Sequence, residues 1–383
     1  MKDNLKNEYI VVETDSDLKK VVKEFKKKDV IAVDMEADSM FHFKEKVCLI
    51  QMAVFNYPNV IIDTLKVNDL LPLKPLFADL NIKKIFHGAD FDIRSLYRDY
   101  GIVINNIFDT EIGSRYIGRK ETGLAAVIAD RFDVKLEKKY QKKDWSQRPL
   151  PKDMLEYSAG DVNFLLPLEQ ILKKELIEKN RLDWVLEECE LLSNVRPAKQ
   201  NKDCKFLKVK GAGRLKPKNL AILEELLKLR EDIAKKKDKP LFKIIGTDSL
   251  LQLALKFPDN LKHLKKLHLI SQRQFSMYGK FLINAIQKGI DIKTDNLPIY
   301  PKTSTPNLSM HVPSRISVLK KWRDSEAIKL DLDPSLLLTK YHLTAIAIKN
   351  PATLDELQQI EALKNWQKNE FGEKIIQALK NEI

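Results

Sequence analysis

The sequence is short of long apolar runs and of cysteine, and each shortage argues against a class of protein. No window approaches the roughly eighteen uncharged apolar residues that span a bilayer, so we expect no transmembrane segment. The first ten residues, MKDNLKNEYI, have no apolar core, so we expect no secretory signal. Cys48, Cys189 and Cys204 are scattered without C-x-x-C spacing. A disulfide framework or a zinc knuckle is therefore not expected, and a reducing, cytoplasmic setting is.

Acidic residues are also scarce relative to basic ones. The 383 residues contain 67 Lys and Arg against 54 Asp and Glu, a net charge of +13. Residues 196–288 alone contain 23 Lys and Arg against 8 Asp and Glu, a net charge of +15, which leaves about −2 for the rest. A block of like charge can be a solvated helix face. Here it coincides with an amphipathic helical pattern, so we predict a folded basic module with a polyanionic partner such as nucleic acid.

The two halves of the sequence differ in their predicted secondary structure. Up to about residue 190, short apolar strands alternate with helical patterns. The first three predicted strands follow one another with short connections, as in an antiparallel meander, and helices separate the later ones, which predicts a mixed sheet. From about residue 205 onward the pattern is almost entirely helical. The strands are predicted in DVIAVDMEA, VCLIQMAVF, NVIIDTL, KKIFHGA and GIVINNIFDT.

The helical half contains an internal repeat with an offset of 93 residues. Two copies of one helical module are therefore predicted. The first copy lies in the basic segment, whereas residues 301–383 are nearly neutral, with 12 basic against 10 acidic residues. The matching pairs are Arg230 with Arg323, Ala254 with Ala347, Pro258 with Pro351, Leu264 with Leu357, Gly279 with Gly372, Ile283 with Ile376 and Ala285 with Ala378.

Two acidic residues stand at the end of the apolar strand in DVIAVDMEADS. Residues 30–33 form the continuous apolar run of a strand that is covered on both faces. Asp34 and Glu36 follow at a spacing of two, which points both carboxylates to the same side of the strand. Burying like charges together is costly unless a positive charge lies between them. The pair therefore predicts a cationic partner.

Two further acids, Asp90 and Asp92, lie at the predicted start of a helix in HGADFDIRSLYRDYGI. Aspartate is favoured at the helix N-cap, and a carboxylate in the first turn complements the helix dipole. Position alone therefore favours a structural role for either residue.

The predicted helix PKDMLEYSAGDVNFLLPLEQIL carries an acid within its apolar stripe. Met154, Tyr157, Asp161, Leu165 and Leu168 fall at the spacings of one face of an amphipathic helix. A solvated carboxylate is not expected at the position of Asp161, and Tyr157 lies one turn earlier on the same face. Asp161 either pairs with a buried Arg or Lys or belongs to a functional site.

Together these acids predict one metal site. Carboxylates that converge without His or Cys suit hard cations such as Mg²⁺ or Mn²⁺. Two such ions, about 3.5–4 Å apart, can clamp the attacking and leaving oxygens of a phosphodiester. They would supply the positive charge that Asp34 and Glu36 require.

The motifs DMEADS, HGADFDI and YSAGD resemble the three exonuclease motifs of the DEDD superfamily, and the Tyr four residues before the last Asp marks its tyrosine branch. The segment DWSQRPLPKDMLEYSAGDV resembles the third motif of the ribonuclease D family, and the repeats resemble the HRDC modules that this family shares with RecQ-type helicases. The resemblance covers nearly the whole chain. It implies an α/β ribonuclease-H-like exonuclease domain, with a mixed sheet flanked by helices, followed by two all-α HRDC domains.

Transferred position by position, the resemblance implies the roles of five residues. Asp34, Glu36, Asp92 and Asp161 would hold two divalent metal ions, Mg²⁺ or Mn²⁺. Tyr157 would orient the attacking water, and its ordinary pKa near 10 makes it a poor base by itself.

Other residues beside the motifs receive weaker assignments. His87 precedes the second motif, and Trp145 and Arg148 precede the third; all three are candidates for substrate contact. An arginine can bind the scissile phosphate and a tryptophan can stack on a base, although core packing is an equally ordinary role for Trp145. Asp90 is then assigned as an N-cap, and Asp109, another acid at a strand end, is expected to support the site.

The resemblance implies a metal-dependent 3′–5′ exoribonuclease with transfer-RNA precursors as its substrate class. It would release nucleoside 5′-monophosphates in the cytoplasm, without an obligate protein partner. One alternative is a 3′–5′ DNA exonuclease, because no residue here identifies a contact to the ribose 2′-hydroxyl. Another is a non-catalytic RNA-binding or tethering protein, although such a protein would usually have lost at least one of the carboxylates.

The same reasoning predicts four segments along the chain. Residues 1–195 would form the exonuclease domain and 210–290 the first, basic HRDC domain, which would hold RNA by its phosphate backbone. Residues 291–312, rich in Pro, Ser, Thr and Asn, would form a linker, and 313–383 a second HRDC-like domain.

Overall fold

The computed structural model describes residues 8–137, 139–198, 203–301 and 309–380. The chain forms two compact units. The first contains residues 1–37, 47–197 and 305–383, and the second contains residues 38–46 and 198–304. Within the described ranges, no helix combines the length and apolar character needed to cross a bilayer.

A six-stranded mixed sheet forms the centre of the first unit. Its strands are β1 (Tyr9–Val12), β2 (Val30–Ala37), β3 (Val47–Ala53), β4 (Asn59–Asp63), β5 (Lys83–Phe86) and β6 (Ile107–Asp109). Their order across the sheet is β1-β4-β3-β2-β5-β6. β3 is antiparallel to β2 and β4, whereas the pairs β1–β4, β2–β5 and β5–β6 are parallel. The predicted meander and mixed sheet are confirmed; β1 was not predicted.

Of the helices described in the first unit, eight lie between β1 and residue 197. They are α1 (Asp15–Phe25), α2 (Leu73–Ala78), α3 (Asp90–Tyr100), α4 (Thr110–Tyr116), α5 (Leu124–Phe132), α6 (Lys152–Asp161), α7 (Leu165–Glu178) and α8 (Leu182–Ser193). α1 shows how such a helix is built. The Thr14 side chain accepts a hydrogen bond from the Asp17 amide at its start. Its apolar residues Leu18, Val22 and Phe25 form one buried face.

The last predicted strand is shorter than its apolar pattern suggests. Of the segment GIVINNIFDT, only Ile107–Asp109 joins the sheet. Asn106 adopts a left-handed φ of 52°, which interrupts the extended backbone that a strand requires. Ile102 and Ile104 are nevertheless fully buried. The apolar pattern therefore predicted correctly that this segment is buried, but the prediction that all of it is a strand was wrong.

The single helix predicted around Tyr157 and Asp161 is in fact two. α6 ends at Asp161 and α7 begins at Leu165. Pro167 lies in the first turn of α7, where its missing N–H leaves no helical hydrogen bond unmade. In a continuous helix the same proline would clash with the carbonyl group of Asn163, so the chain breaks before it.

The second unit is a helical module preceded by two short 3₁₀ segments, Lys205–Lys208 and Ala212–Arg214. Its helices are α9 (Pro217–Lys237), α10 (Leu241–Ile244), α11 (Thr247–Lys256), α12 (Leu261–Lys266) and α13 (Gln272–Asp291). α9 and α13 cross closely at Gly289, where an added Cβ would lie 2.5 Å from the Cα of Ile222. Only glycine permits this approach.

Residues 38–46 belong to this second unit. His42 Nδ1 lies 2.6 Å from Asp238 Oδ2, and the Phe43 amide donates to Asp238 Oδ1 at 3.1 Å. Asp238 is the residue that ends α9, in a left-handed conformation. The segment is therefore held by the C-terminal end of a helix.

The second helical module, in the first unit, repeats the first at the predicted offset. Its helices are α14 (Val312–Leu330), α15 (Pro334–Leu337), α16 (Lys340–Lys349), α17 (Leu354–Gln358) and α18 (Asn365–Lys380). α15 and α16 match α10 and α11 end to end after a shift of 93 residues. Arg230 Nη1 donates to the Ile245 carbonyl at 3.2 Å, and Arg323 Nη1 donates to the equivalent Leu338 carbonyl at 2.9 Å. The repeat is confirmed down to a single hydrogen bond.

The second module packs against α8 within the first unit. The indole rings of Trp184 and Trp366 stack with their centroids 4.6 Å apart. The Lys364 ammonium pairs with the Glu188 carboxylate, and Arg181 Nη2 donates to the Leu330 carbonyl at 2.7 Å. The α/β part and the second module therefore share one apolar core. Of the predicted linker, residues 302–308 lie outside the described residues.

Candidate active site

Asp34 and Glu36 lie on β2, between β3 and β5, where the sheet begins to open. The ladder from β2 to β5 ends at the pair Ala32–Ile85, whereas the ladder to β3 continues to Glu36–Leu49. Beyond Ala32, no strand among the described residues pairs with this side of β2. The sheet leaves room there for the side chains that follow β5.

The connection from β5 to α3 places Asp92 at this opening. It turns at Gly88, which has a φ of +74° and where a Cβ would lie 2.8 Å from Glu111 Oε2. α3 then begins at once, and Asp92 is a buried residue of its first turn. Glycine is favoured here by the left-handed φ, whereas an added Cβ would displace only the flexible end of the Glu111 side chain.

The Asp109 carboxylate fixes this connection. It accepts hydrogen bonds from the amides of Gly88 at 3.0 Å and Ala89 at 2.8 Å. It also caps α4 through the amides of Glu111 at 2.8 Å and Ile112 at 3.2 Å. The side chain is buried and bonded to four backbone amides, so it supports the site by positioning the start of α3.

Asp90 is not the N-cap that the sequence predicted. Ala89, directly before it, has φ −69° and ψ −2°, so the helix has already begun when the chain reaches Asp90. An N-cap residue requires an extended backbone to turn its side chain toward the amides that follow. Asp90 instead forms an exposed ion pair with Arg94, with Oδ2 2.8 Å from Nε.

Three carboxylates meet at the opening of the sheet. Oxygen atoms of Asp34, Glu36 and Asp161 all lie within 4.8 Å of one another. Asp92 is not part of this group of three. However, its charge raises the pKa of Glu36, and the charge of Asp34 raises the pKa of Asp92. The structure thus brings the four predicted ligands into one electrostatic cluster.

Burial is the main cause of the shifted pKa values in this cluster. It raises the pKa of Asp34 to about 6 and, together with the charge of Asp34, the pKa of Asp161 to about 8. Burial followed by repulsion from neighbouring carboxylates raises the pKa of Glu36 and of Asp92 well above their ordinary values. No lysine or arginine in the described part of the chain is among the groups that shift these four pKa values. Pairing of Asp161 with a buried cationic side chain, the alternative drawn from sequence, is therefore not observed.

Tyr157 lies one turn before Asp161 on α6 and touches the cluster. Its hydroxyl group hydrogen-bonds to the Asp161 carboxylate, which lowers the pKa of Asp161 against the effect of burial. Burial and the nearby carboxylates raise the pKa of Tyr157 well above 10. Its ring packs against Tyr140 and Trp145, with centroid distances of 5.6 and 6.1 Å. Packing thus fixes the Tyr157 ring, and its hydroxyl group stays protonated beside the carboxylates.

Trp145 and Arg148 are occupied within the protein. Trp145 is fully buried beneath Tyr157. The Arg148 guanidinium holds the buried carboxylate of Asp63 through two hydrogen bonds of 2.7 Å and also donates to the Trp145 carbonyl. Sequence reasoning missed Asp63, although an acid ending the apolar strand NVIID was the available signal. The contacts of both side chains are structural, and their contact with substrate stays a prediction.

His87 lies behind the connection that positions α3. Its Nδ1 is 2.9 Å from the hydroxyl oxygen of Thr110, and that hydroxyl donates to the Phe86 carbonyl at 2.9 Å. Burial lowers the pKa of His87, so the ring is neutral at physiological pH. Its contact with substrate likewise stays a prediction.

Comparison with known proteins identifies relatives over most of the chain. Residues 9–177 match a family model described as 3′–5′ exonuclease, and residues 219–286 and 313–379 each match the HRDC domain. Ribonuclease D of Desulfotalea psychrophila is 30% identical over 331 residues, which cover 85% of this chain and 87% of the relative. Ribonuclease D of Bartonella henselae is 29% identical over 96% of this chain and 89% of the relative.

A solved structure shows the same fold. The crystal structure of Escherichia coli RNase D, an exoribonuclease involved in structured RNA processing, superposes with a TM-score of 0.72. It covers 97% of this chain and 99% of that chain at 23% identity. The likeness extends over the α/β part and both helical modules.

Proposed function

Because this chain belongs to the ribonuclease D family and is a 3′–5′ exoribonuclease, we propose that its carboxylate cluster directs removal of single nucleotides from RNA 3′ ends, releasing nucleoside 5′-monophosphates. The observation that carries this proposal is the approach of Asp34, Glu36 and Asp161 within 4.8 Å, with no cationic side chain among the described groups that act on them. Such a cluster must bind either protons or a cation at neutral pH, because ionised carboxylates this close together repel one another.

The exonuclease domain implies dependence on divalent metal, and the residues present fit such ions. The donors are carboxylate oxygens, without His or Cys, as Mg²⁺ and Mn²⁺ prefer. The raised pKa values of these carboxyl groups mean that binding of a proton or a metal cation at the cluster is favourable. We propose that Asp34, Glu36, Asp92 and Asp161 hold two Mg²⁺ or Mn²⁺ ions, which when bound activate water and stabilise the leaving oxygen.

Tyr157 is proposed to orient the attacking water. Its hydroxyl proton is engaged with Asp161, so its oxygen can accept a hydrogen bond from a water molecule beside the cluster. Because its pKa is raised, Tyr157 keeps its proton and acts as a positioning group, not as a base. Trp145 supports this role by fixing the tyrosine ring.

RNA is the substrate class that the relatives and the charge distribution support. We propose transfer-RNA precursors, and more generally structured RNA with 3′ extensions. The basic segment 196–288, with its net charge of +15, would bind the phosphate backbone with an affinity that falls steeply with salt.

The remaining assignments follow from the family architecture. We propose a cytoplasmic location and no obligate protein partner. We also propose boundaries of 1–195 for the exonuclease domain, 210–290 for the first HRDC domain, 291–312 for the linker and 313–383 for the second HRDC-like domain.

The test is hydrolysis of a 5′-labelled RNA with a 3′ extension. Full-length protein with Mn²⁺ or Mg²⁺ is expected to produce a ladder that shortens from the 3′ end. Asp34→Asn and an excess of chelator are each expected to abolish it. A matched DNA strand, run in parallel, addresses the alternative of a DNA exonuclease.

Two outcomes would contradict the proposal. Faster shortening of the DNA strand than of the RNA would favour the DNA exonuclease. Absence of shortening by folded, metal-loaded protein would leave only RNA binding.

A further inference from the structure

Each of the two helical modules has a surface groove at the equivalent place. The groove of the first module is largely apolar, and that of the second contains ion pairs. In the first module it lies between α9 and α13 and has a volume of about 490 Å³. In the second it lies between α14 and α18, with a volume of about 620 Å³. After the shift of 93 residues, Leu229, Ile233, Lys236 and Phe281 of the first groove correspond to Trp322, Glu326, Lys329 and Lys374 of the second.

The second groove is bridged by ion pairs. The Glu326 carboxylate lies 2.5 Å from the Lys374 ammonium and 3.1 Å from that of Lys329. The charged side chains of this groove are therefore paired with one another inside the second module. The aromatic residue on the wall of this groove, Trp322, is half-buried.

The first groove cannot form this bridge, because Ile233 and Phe281 occupy the positions of Glu326 and Lys374. Its floor is apolar, and 56% of Phe281 is exposed to solvent. Met277, beside it, is also exposed. An exposed phenyl ring is costly in water, so this surface favours a ligand with an apolar face.

Lysines line the rim of the same groove. Lys236 is exposed, and Lys237 Nζ lies 4.8 Å from the centre of the Tyr278 ring and 3.0 Å from its hydroxyl oxygen. The lining residues include one acid, Asp232. Aromatic rings flanked by ammonium groups suit single-stranded nucleic acid, whose bases stack while its phosphates meet the cations.

We propose that this groove binds an unpaired nucleotide of the RNA, with the base stacked on Phe281 and a phosphate contacting Lys236. The inference rests on the proposed RNA substrate and gives the first module a specific subsite beyond general attraction of phosphates. The excess of 15 positive charges in the surrounding segment favours RNA over an apolar protein surface as the occupant. The second groove, with its internal ion pairs, has no such role.

The test measures the affinity of full-length protein for a fluorescent, unstructured RNA by anisotropy. Every protein carries Asp34→Asn so that the RNA stays intact. Phe281→Ala is expected to weaken binding about five- to 150-fold, the range found for a lost base–aromatic stack. Phe281→Tyr should retain the affinity, and Phe281→Leu should not, because stacking requires a ring. Lys236→Ala should weaken binding and reduce its salt dependence.

The second module supplies matched controls. Lys374→Ala and Lys329→Ala, at the positions equivalent to Phe281 and Lys236, are expected to change the RNA affinity less than twofold. An RNA of the same length with abasic positions should bind the wild-type and Phe281→Ala grooves equally.

Wild-type affinity in Phe281→Ala would overturn the groove proposal. So would full retention of affinity by Phe281→Leu, since it would indicate a general apolar contact. A smaller molecular mass of Phe281→Ala than of wild type in light scattering would instead identify a contact between two copies of the chain. Wild-type hydrolysis of a small phosphodiester with Mn²⁺ is measured separately, because its absence would contradict the proposed function and leave the binding comparison intact.

Discussion

The carboxylates of the site are held where their charge is unfavourable without a cation. Burial raises the pKa of Asp34 from 3.8 to about 6 and that of Asp161 from 3.8 to about 8. Each folded carboxyl group therefore binds its proton more tightly than in the unfolded chain. At neutral pH these groups therefore lower the stability of the metal-free protein, as expected for the proposed metal site.

This arrangement predicts how the stability of the metal-free protein depends on pH. Because the folded state binds more protons at these groups, their contribution to the free energy of unfolding decreases from about pH 4 to about pH 8. The shift of Asp34 alone corresponds to about 3 kcal/mol. Mn²⁺ should raise the melting temperature more at pH 8 than at pH 6, because its ligands must be deprotonated to bind.

Asp34→Asn provides the control for this pH dependence, because an amide does not titrate. The metal-free variant should be more stable than wild type above pH 6 and should respond less to Mn²⁺. Identical pH profiles of the two melting temperatures would show that the buried carboxylate does not destabilise the metal-free state.

Tyr157 is predicted to act in catalysis through its hydroxyl group alone. Tyr157→Phe keeps the ring that packs on Trp145 and should leave the melting temperature within a few degrees of wild type. It should lower kcat on RNA about 100-fold, the order of effect expected for a lost positioning or proton-handling group. Tyr140→Phe is the matched control: its hydroxyl bonds to Asp153 at 3.2 Å, and kcat should be unchanged. Equal kcat values for the two variants would contradict the assigned role of Tyr157.

Among elements, the β5–α3 connection decides where Asp92 lies. Gly88 makes the turn, and the Asp109 carboxylate binds its amide and that of Ala89 while capping α4. One buried side chain thus fixes the starts of two helices. From the sequence, Asp109 could be recognised only as an acidic residue at the end of a predicted strand.

Asp109→Asn should therefore act on both stability and metal binding. The amide nitrogen would replace one accepting oxygen and would face a backbone amide, leaving donors unsatisfied. We expect the free energy of unfolding to fall by about 2 kcal/mol and the affinity for Mn²⁺ to weaken. Chemical denaturation and metal titration measure the two effects. Asp90→Asn, in the exposed pair with Arg94, should change stability by less than about 0.5 kcal/mol, and a comparable loss in both variants would contradict the role of Asp109.

At the scale of the whole molecule, the two copies of the repeat differ in their packing. The first copy belongs to the second compact unit, and the second copy belongs to the first. The second copy buries Trp366 against Trp184 and joins the core of the α/β part. The position equivalent to Trp366 in the first copy is Arg273, which is exposed. Removing residues 309–380 would consequently uncover the core of the exonuclease, so deletion of both modules is a poor test of RNA binding.

Trp366→Ala should reveal this structural use of the second copy. It is expected to lower the free energy of unfolding by about 3 kcal/mol, as for other buried aromatic residues. Arg273→Ala, its counterpart in the first copy, should stay within about 0.5 kcal/mol of wild type. Thermal denaturation of the full-length proteins distinguishes the two. Equal melting temperatures would show that the stacked indoles contribute little to stability.

Much of this protein was determined locally and could be predicted from its sequence. The apolar run of residues 30–33 defined a buried strand, because burial on both faces demands uninterrupted apolar side chains. The 93-residue offset predicted two equivalent modules, and the hydrogen bonds of Arg230 and Arg323 repeat accordingly. The placement of Asp34 and Glu36 two residues apart on one strand followed from the period of a strand, whereas Asp161 ends α6 and the apolar stripe predicted around it is divided between α6 and α7.

Other features were decided by tertiary structure, because they depend on groups far apart in the chain. Asp109 cannot be recognised as the residue that holds α3 until the amides of Gly88 and Ala89 approach it. Trp145 is buried because the chain returns beneath Tyr157. Likewise, the 93-residue repeat by itself could not show that the second copy would join the core of the α/β part. The local sequence determines the spacing of apolar residues in each helix or strand. How much stability an apolar face gains by burial depends on which other segments of the chain pack against it.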